Sequence, residues 1–585
     1  MMVTRHLTRR ELPALLILPT LLLTLPALWT GWQFDDYVHR ELLLRSPGLS
    51  GLAPATMELF SFLSGNPLQT MAQVERGDLA WWTLPEAKQA FWRPLSGLTH
   101  WLDYQFWPEQ PLLMHLHSQL WLVALVSSAA LLYRRLMGLS GAAGLAAVAY
   151  AFDDAHGFAA AWLANRNMLC ATLFGLLALL AHLRWREHGH RGAALLAMIW
   201  LGCALLAGEA AVATLAYMVA YALWGEQGPW RRRIASLLPA LSLVALWYLI
   251  YRTLGYGAHG TAYIEPFTDP LRFAQALFQR APLLLLGQWT PLPAELSPFL
   301  TPSELLLLWL GALACLAMLT YLFLPLLRHD RLARFWATGM LLSLIPASTA
   351  LPANRLLFFV GLGAMGLLAR FIYAPAAAQP QHGGGVARRL LLTIHLLLGP
   401  LTLPVTAYSP ALLGGIATEL ATLPSDPVVQ QRDLVVMTAP SPFSLSAIRP
   451  LRAAIDQPTP ARTLLLSSGP GGAWVERIDT FSLLVRPARG YMLGFDSVLR
   501  APWYPLRPDQ PVQLGYVRVS ITERSADGRP AAALFRFATP LEDPSRLWFS
   551  YQRGRYIPWS PPAPGSQVWV EPFGSPQPSM PKQEH

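Results

Sequence analysis

Residues 12–40 read LPALLILPTLLLTLPALWTGWQFDDYVHR, an apolar run that ends on two adjacent carboxylates, Asp35 and Asp36, followed by Tyr37 and His39. The run reaches the ~20 residues needed to cross a bilayer core. It is longer than the apolar stretch of a secretory signal and has no A-x-A cleavage site, so it reads as a retained first membrane helix. The acid pair then stands where that helix surfaces into water. One carboxylate there would serve as a solubilising flank or a helix cap. Two of them, with a histidine behind, ask for a further role.

The rest of the chain extends this reading. Of its 585 residues 53% are hydrophobic and only 13% charged, and the mean hydropathy is +0.34. That is too little charge to cover a water-soluble surface. Apolar windows recur at 12–32, 111–133, 139–155, 164–183, 192–207, 209–224, 234–252, 302–327, 333–350, 354–373 and 389–408, which predicts about eleven membrane crossings. With Arg5, Arg9 and Arg10 in the cytoplasm, alternation brings further arginines to the same side. They are Arg134 and Arg135; Arg184, Arg186 and Arg191; Arg231, Arg232 and Arg233; Arg328, Arg331 and Arg334; Arg388 and Arg389. Short Arg-rich turns are what the positive-inside rule expects of cytoplasmic loops. The formal charge of +10 is therefore mostly topological, and nucleic acid is not an expected partner. Cys170, Cys203 and Cys315 lie inside apolar runs without CxxC spacing, so neither a disulfide framework nor a zinc site is indicated.

Three segments fall on the opposite face. The first, 33–110, mixes Trp, Phe and Tyr with charges, the pattern of helices lying in the membrane interface. The second, 253–301, includes another such helix. In the tail from 409, runs such as DLVVMTA, ARTLLLSS, FSLLVRP, VQLGYVRVSITE and ALFRFATP are bounded by Pro, Gly, Asp or Ser and read as strands. The expected organisation is a transmembrane domain over 1–408, a small β-rich or α+β external domain over 409–565, and a disordered Pro-rich tail over 566–585. AAAQPQHGGGVARR reads as a flexible linker before the last helix. No internal repeat is visible.

This topology collects polar groups on one face: Asp35, Asp36 and His39; Arg93; His115 and His117; Asp153, Asp154 and His156; Asn165, Arg166 and Asn167; Glu209; Asn354 and Arg355. Singly, each has an ordinary explanation. An arginine at a helix end snorkels to the interface, a histidine donates to a backbone carbonyl, and an aspartate caps a helix. Their convergence from several helix ends points to a polar cavity, because charge at membrane depth is costly unless paired or wet. Acid beside arginine suits one chemistry in particular. The carboxylate takes a proton from an acceptor hydroxyl while arginine receives the charge developing on a phosphate leaving group. Adjacent carboxylates discourage each other's ionisation, so one serves as base while the other orients the acceptor or binds a cation.

The motifs FDDYVH, FWRPLSGLTHWLDYQFW, MHLHSQLWLVALVSSAALLYRRL, AFDDAHGFAAAWLANRNMLCATLFGLLALLA, GEAAVATLAYMVAYALW and LPANRLLFFVGLG occur in the order seen in a known group. They resemble the GT-C type multipass glycosyltransferases, most of all the TMTC and protein O-mannosyltransferase group, over roughly residues 1–370. The resemblance implies a mainly α, polytopic fold and an inverting transferase on the non-cytoplasmic face, drawing its sugar from a polyprenyl-phosphate donor. It implies Asp35 as general base with Asp36 assisting. Arg93, Arg166 and Arg355 would meet the donor phosphate, and His39, His115, His117, Asp154, His156, Asn165, Glu209 and Asn354 would line the site. No cofactor is required, although a divalent cation at Asp35 and Asp36 stays open. The chain departs from the group in lacking tetratricopeptide repeats, in having Asp as its second acid, and in reading FDDAHG where the group has His-Pro. The acceptor is therefore open among a protein, a lipid-linked glycan and a lipopolysaccharide. The composition resembles that of bacterial proteins, which implies an inner-membrane protein with the C-terminal domain in the periplasm.

A transporter or flippase for a lipid-linked or anionic solute would also want arginine and aspartate near the bilayer, and is the main alternative. Such folds often show inverted repeats and broken helices at the midplane, whereas here the polar groups sit at helix ends. A polysaccharide polymerase or ligase would instead rely on the 253–301 loop. An assembly protein would need neither acid.

Overall fold

The computed structural model describes residues 6–375, 378, 380, 383–412, 423–446, 448–469, 471–552 and 555–571. Among the described residues five helices are long and apolar enough to cross a membrane: Pro111–Met137, Leu163–His188, Trp230–Thr253, Pro302–His329 and Gly384–Thr406. Shorter apolar helices occupy Leu12–Leu23, Gly141–Ala151, Arg191–Ala207, Glu209–Gly225 and Phe358–Ile372, and another runs over Arg331–Ala347. Every apolar window of the sequence thus contains a helix, but fewer than half reach spanning length. The reasons are local. Pro13, Pro19 and Pro26 remove backbone donors, so the first run breaks into Leu12–Leu15, Ile17–Leu23 and a 3-10 turn at Leu25–Trp29. The Glu209–Gly225 segment starts as a 3-10 turn and ends as a π-helix.

Small side chains let these helices approach closely, as packing inside a membrane requires. Gly366 lies flat against the Trp336 ring, leaving no room for a Cβ. Buried tyrosines add cross-links: Tyr133 donates to the Leu362 carbonyl at 2.6 Å and Tyr150 to that of Phe358 at 3.1 Å.

The C-terminal region carries two sheets. In the first, the order is Arg555–Pro558, Arg546–Gln552, Asp433–Ala439, Arg462–Ser468. Asp433–Ala439 runs parallel to both its neighbours and is buried throughout, which explains the continuous apolar run Leu434–Met437 at its centre. The second sheet is antiparallel: Gln567–Val570, Ala473–Arg477, Ser482–Pro487, Pro530–Phe537, Val517–Arg524, Val512–Gln513. Each run read as a strand from the sequence contains strand, VQLGYVRVSITE splitting into Val512–Gln513 and Val517–Arg524. Ala473–Arg477, Arg546–Gln552, Arg555–Pro558 and Gln567–Val570 were not anticipated. Gln567–Val570 pairs with Ala473–Arg477, so the folded region runs past the expected boundary at 565. Residues 572–585 of the expected tail lie outside the described residues, as do 376–377, 379 and 381–382 of the expected linker, whose remainder is already helical from Gly384.

Within the first external segment, the stretch around Trp81 and Trp82 packs into the protein rather than along an interface. Trp81 and Trp82 do not face lipid; both are buried, with Trp81 edge-on to Tyr491 and Phe535 at ring distances of 5.5 and 5.6 Å. Leu84 N donates to Leu499 O at 3.1 Å and Arg500 Nε to Trp82 O at 2.6 Å. Strand Lys88–Ala90 pairs with Ser61–Ser64 on one side and with Gly257–His259 of the second external segment on the other. Helix Pro94–Phe106 turns Ser96, Thr99, His100 and Asp103 inward and so buries a polar face rather than an apolar one. In the second segment, helix Pro270–Trp289 exposes Leu271 and Phe278 but buries its last turns from Pro282. It enters the helical core instead of lying along a surface. Both external segments and the tail therefore form one body. Trp82→Ala should cost about 3–5 kcal/mol, the usual range for a fully buried indole. A lowered denaturant midpoint of the detergent-solubilised chain would record it, while the exposed Trp230→Ala serves as the insensitive control.

Candidate active site

The chain leaves the first helix through Gly31 at φ +69° and Phe34 at φ +48°. A positive φ is uncommon for a residue with a side chain; here the Phe34 ring packs edge-on to Trp162 at 5.6 Å. This turn starts helix Asp35–Arg45 and sets both acids in its first turn, where the helix dipole favours negative charge.

The two acids then diverge. Asp36 is buried, and both its oxygens are occupied: Oδ2 accepts from Gln33 N at 2.9 Å and Oδ1 from Ala164 N at 2.7 Å. It bolts the loop to the 3-10 turn Leu163–Asn165. Burial pushes its carboxyl up to about 8, outweighing those two donors. Asp35 is half-buried and, among the described residues, accepts no hydrogen bond. Its enclosure pushes it up to about 6, opposed by the positive charges of Arg355 and then Arg93. Burial thus acts upward on both acids, opposed at Asp36 by backbone N–H donors and at Asp35 by the arginine charges.

Arg93 donates through Nε to Glu209 Oε2 at 2.8 Å, and its guanidinium lies over Phe60 and Phe91 at 5.0 and 4.7 Å. Arg355 lies over Trp162 at 5.0 Å, is half-buried, and its guanidinium makes no hydrogen bond or ion pair among the described residues. Its neighbour Asn354 is held on two sides, Oδ1 accepting from Ala294 N at 3.0 Å and N donating to Glu295 Oε1 at 2.6 Å. Asp35, Arg93, Arg355 and Glu209 thus come together. A cation at the acid pair would find Asp35 alone with free oxygens.

Other candidates prove to be packed inside. Arg166 corrects the expectation of a phosphate ligand, because its side chain is fully buried. It pairs with Asp103 Oδ2 at 2.6 Å and donates to Ser118 Oγ at 2.9 Å and Met114 O at 2.8 Å. The other Asp103 oxygen takes His117 Nδ1 at 2.7 Å, while the Trp121 indole donates to His117 Nε2 at 3.0 Å. An indole donates only, so the imidazole proton sits on Nδ1 and points at Asp103. His115 is buried against Thr30 Oγ1 at 3.0 Å and Gly31 O at 2.8 Å and ties helix Pro111–Met137 to the end of the first. His39 is buried against the Phe60 and His100 rings and is pushed down to about 3, so it is neutral. His156 stacks on Phe358 at 4.6 Å. Asp153 accepts from Gln288 Nε2 at 2.9 Å, and Asp154 receives Thr406 Oγ1 on its carbonyl at 2.9 Å. Asn165 is buried in its 3-10 turn.

Asp103 and Glu295 were not singled out in the sequence. Asp103 follows Thr99 and His100 at helical spacing inside an aromatic-rich stretch, a pattern that puts all three on one face. Glu295 is a lone acid between prolines and carries no local signal.

No family model and no curated protein sequence matches this chain. Solved structures are similar to it, two of which follow. One is ArnT from Cupriavidus metallidurans bound to undecaprenyl phosphate, at 13% identity, with 73% of this chain and 88% of that one covered and a TM-score of 0.31. The other is the Archaeoglobus fulgidus oligosaccharyltransferase tethered with an acceptor peptide containing the NVT sequon, at 12% identity, 74% and 64% coverage and a TM-score of 0.31. At that score the superposition is too loose to assign a fold or an activity to this chain.

Proposed function

We propose that this protein is an inverting membrane glycosyltransferase of GT-C type that moves a sugar from a polyprenyl-phosphate donor to a hydroxyl acceptor, with Asp35 as the base. One observation carries the reading: Asp35 is the acid of the pair left without a hydrogen bond among the described residues, within reach of the Arg355 and Arg93 charges. Asp36 holds the turn that presents it. The acceptor oxygen gives its proton to Asp35 and attacks the anomeric carbon. The bond from that carbon to the phosphate oxygen breaks, and the leaving phosphate takes the electron pair. Arg93 and Arg355 receive the charge, each set over an aromatic ring that orients its guanidinium, Arg93 being held by Glu209 as well. A single displacement inverts the anomeric centre. Arg166 has no part in this scheme.

The helical segment in every apolar window and the Arg-rich turns support about eleven crossings, with the N-terminus in the cytoplasm and the C-terminal domain in the periplasm of a bacterial inner membrane. The acceptor is a protein, a lipid-linked glycan or a lipopolysaccharide.

The test uses the full chain in liposomes with a panel of radiolabelled polyprenyl-phosphate hexoses and pentoses. Transfer of label to an acceptor, persisting in a chelator, supports the transferase. Label that only crosses the bilayer supports a transporter instead. The pH profile is a second check. A base must be unprotonated, so turnover should rise as pH increases, bend near about 6, and stay level above. Below the bend it should fall about tenfold per pH unit. A profile flat from pH 4 to 8 would remove Asp35 from the role.

A further inference from the structure

Between the second external helix and Pro302–His329 runs the 3-10 segment Ala294–Phe299, which is attached at both ends. At one end Ala294 N and Glu295 Oε1 clasp Asn354, the residue before Arg355. Gly287 makes the clasp close-fitting, since a Cβ there would collide with Asn354 Oδ1. The second Glu295 oxygen is buried without a hydrogen-bond partner among the described residues. Burial raises the carboxyl from its ordinary value, and the Arg355 charge is among the effects that oppose the rise.

At the other end the C-terminal domain grips the segment. Arg489 Nη1 donates to Phe299 O at 2.9 Å, and Phe299 packs edge-on to Phe495 at 5.2 Å. Gly494, at φ +58°, lies so close to the Pro298 carbonyl that no Cβ fits. One short strap therefore joins the turn carrying Arg355 to the turn 489–496 of the C-terminal domain.

We propose that Glu295 is a positioning residue for Arg355 and that the strap Ala294–Phe299 makes this position depend on the C-terminal domain. This rests on the reading that Arg355 receives the donor phosphate. The alternative for Glu295, a counter-charge, predicts the opposite sign. Removing a negative charge beside Arg355 would strengthen its hold on a phosphate, whereas removing the clasp would loosen the turn and weaken it. Glu295→Gln separates the two, because its amide oxygen still accepts from Asn354 N while the charge is gone.

The experiment measures binding of undecaprenyl phosphate, with undecaprenol as the uncharged control, to the detergent-solubilised full chain. Glu295→Ala should weaken phosphate binding about tenfold, the 1.4 kcal/mol equivalent of one lost contact, and leave undecaprenol unaffected. Glu295→Gln should retain the wild-type affinity. Gly494→Ala, in the other domain, should weaken phosphate binding severalfold with the same selectivity, and Glu523→Gln, on a strand away from the strap, should not. Wild-type binding by Glu295→Ala, or tighter binding by both Glu295 variants, overturns the positioning role. Wild-type binding by Gly494→Ala overturns the link to the C-terminal domain. If Arg355→Gln itself binds undecaprenyl phosphate normally, the phosphate reading fails and takes this proposal with it. Loss in Arg355→Gln with none in Glu295→Ala rejects the strap alone.

Discussion

Asp35→Asn should lower sugar transfer by about 10²–10⁴-fold, the usual contribution of a positioned general base, while undecaprenyl phosphate still binds. The amide is nearly isosteric, so the helix start and the Phe34 turn should persist. Removing a negative charge that faces Arg355 and Arg93 leaves those cations freer to meet a phosphate, so donor binding should hold or tighten. Asp36→Asn is the contrast. Its amide nitrogen must confront either Gln33 N or Ala164 N, leaving a buried donor unsatisfied at about 1–3 kcal/mol. That variant should lose stability, and its activity should fall only with the folded fraction. A collapse of turnover in Asp36→Asn at wild-type stability, with Asp35→Asn active, would exchange the two roles.

Arg166→Ala should destabilise the protein by about 3–5 kcal/mol, because it strands Asp103 as an uncompensated buried charge. Both partners of this pair are fully buried. Replacing both by apolar residues of similar size, Arg166→Met with Asp103→Leu, should recover much of the loss, since desolvation of the pair offsets most of its attraction. Denaturant midpoints of the wild type, Arg166→Met, Asp103→Leu and the double variant in one detergent give the cycle. Undecaprenyl phosphate binding by the folded fraction should not change. A stable Arg166→Ala that no longer binds the phosphate would return Arg166 to the site.

Arg166 and Arg355 show where local sequence stops being informative. Both stand at helix starts after an asparagine, in ANRN and ANRL, and the two are equivalent as strings. They differ in what reaches them from elsewhere in the chain. Asp103 comes to Arg166 across 63 positions (166 − 103), while the Arg355 guanidinium, among the described residues, lies over the Trp162 ring without an ion pair. The acid pair repeats the lesson over one residue. Adjacent positions in a first helical turn point in different directions, so one carboxyl enters the fold and the other is left facing the cations.

Trp81 and Trp82 mark a second limit. Aromatic residues among charges satisfy a membrane interface and a protein core equally well, and only the partner surface decides. That surface comes from more than 400 positions later, at Tyr491 and Phe535. By itself the sequence determined the apolar windows that become helices, the alternation of Arg-rich turns, five of the C-terminal strand runs and the acid pair at a helix edge. These follow from composition and spacing within a few turns of chain. Tertiary structure alone decided that the first external segment joins the C-terminal domain, and which acid and which arginine side chain are left without a partner among the described residues. A charge is functional or structural according to whether a distant group satisfies it, and that partner is set by packing.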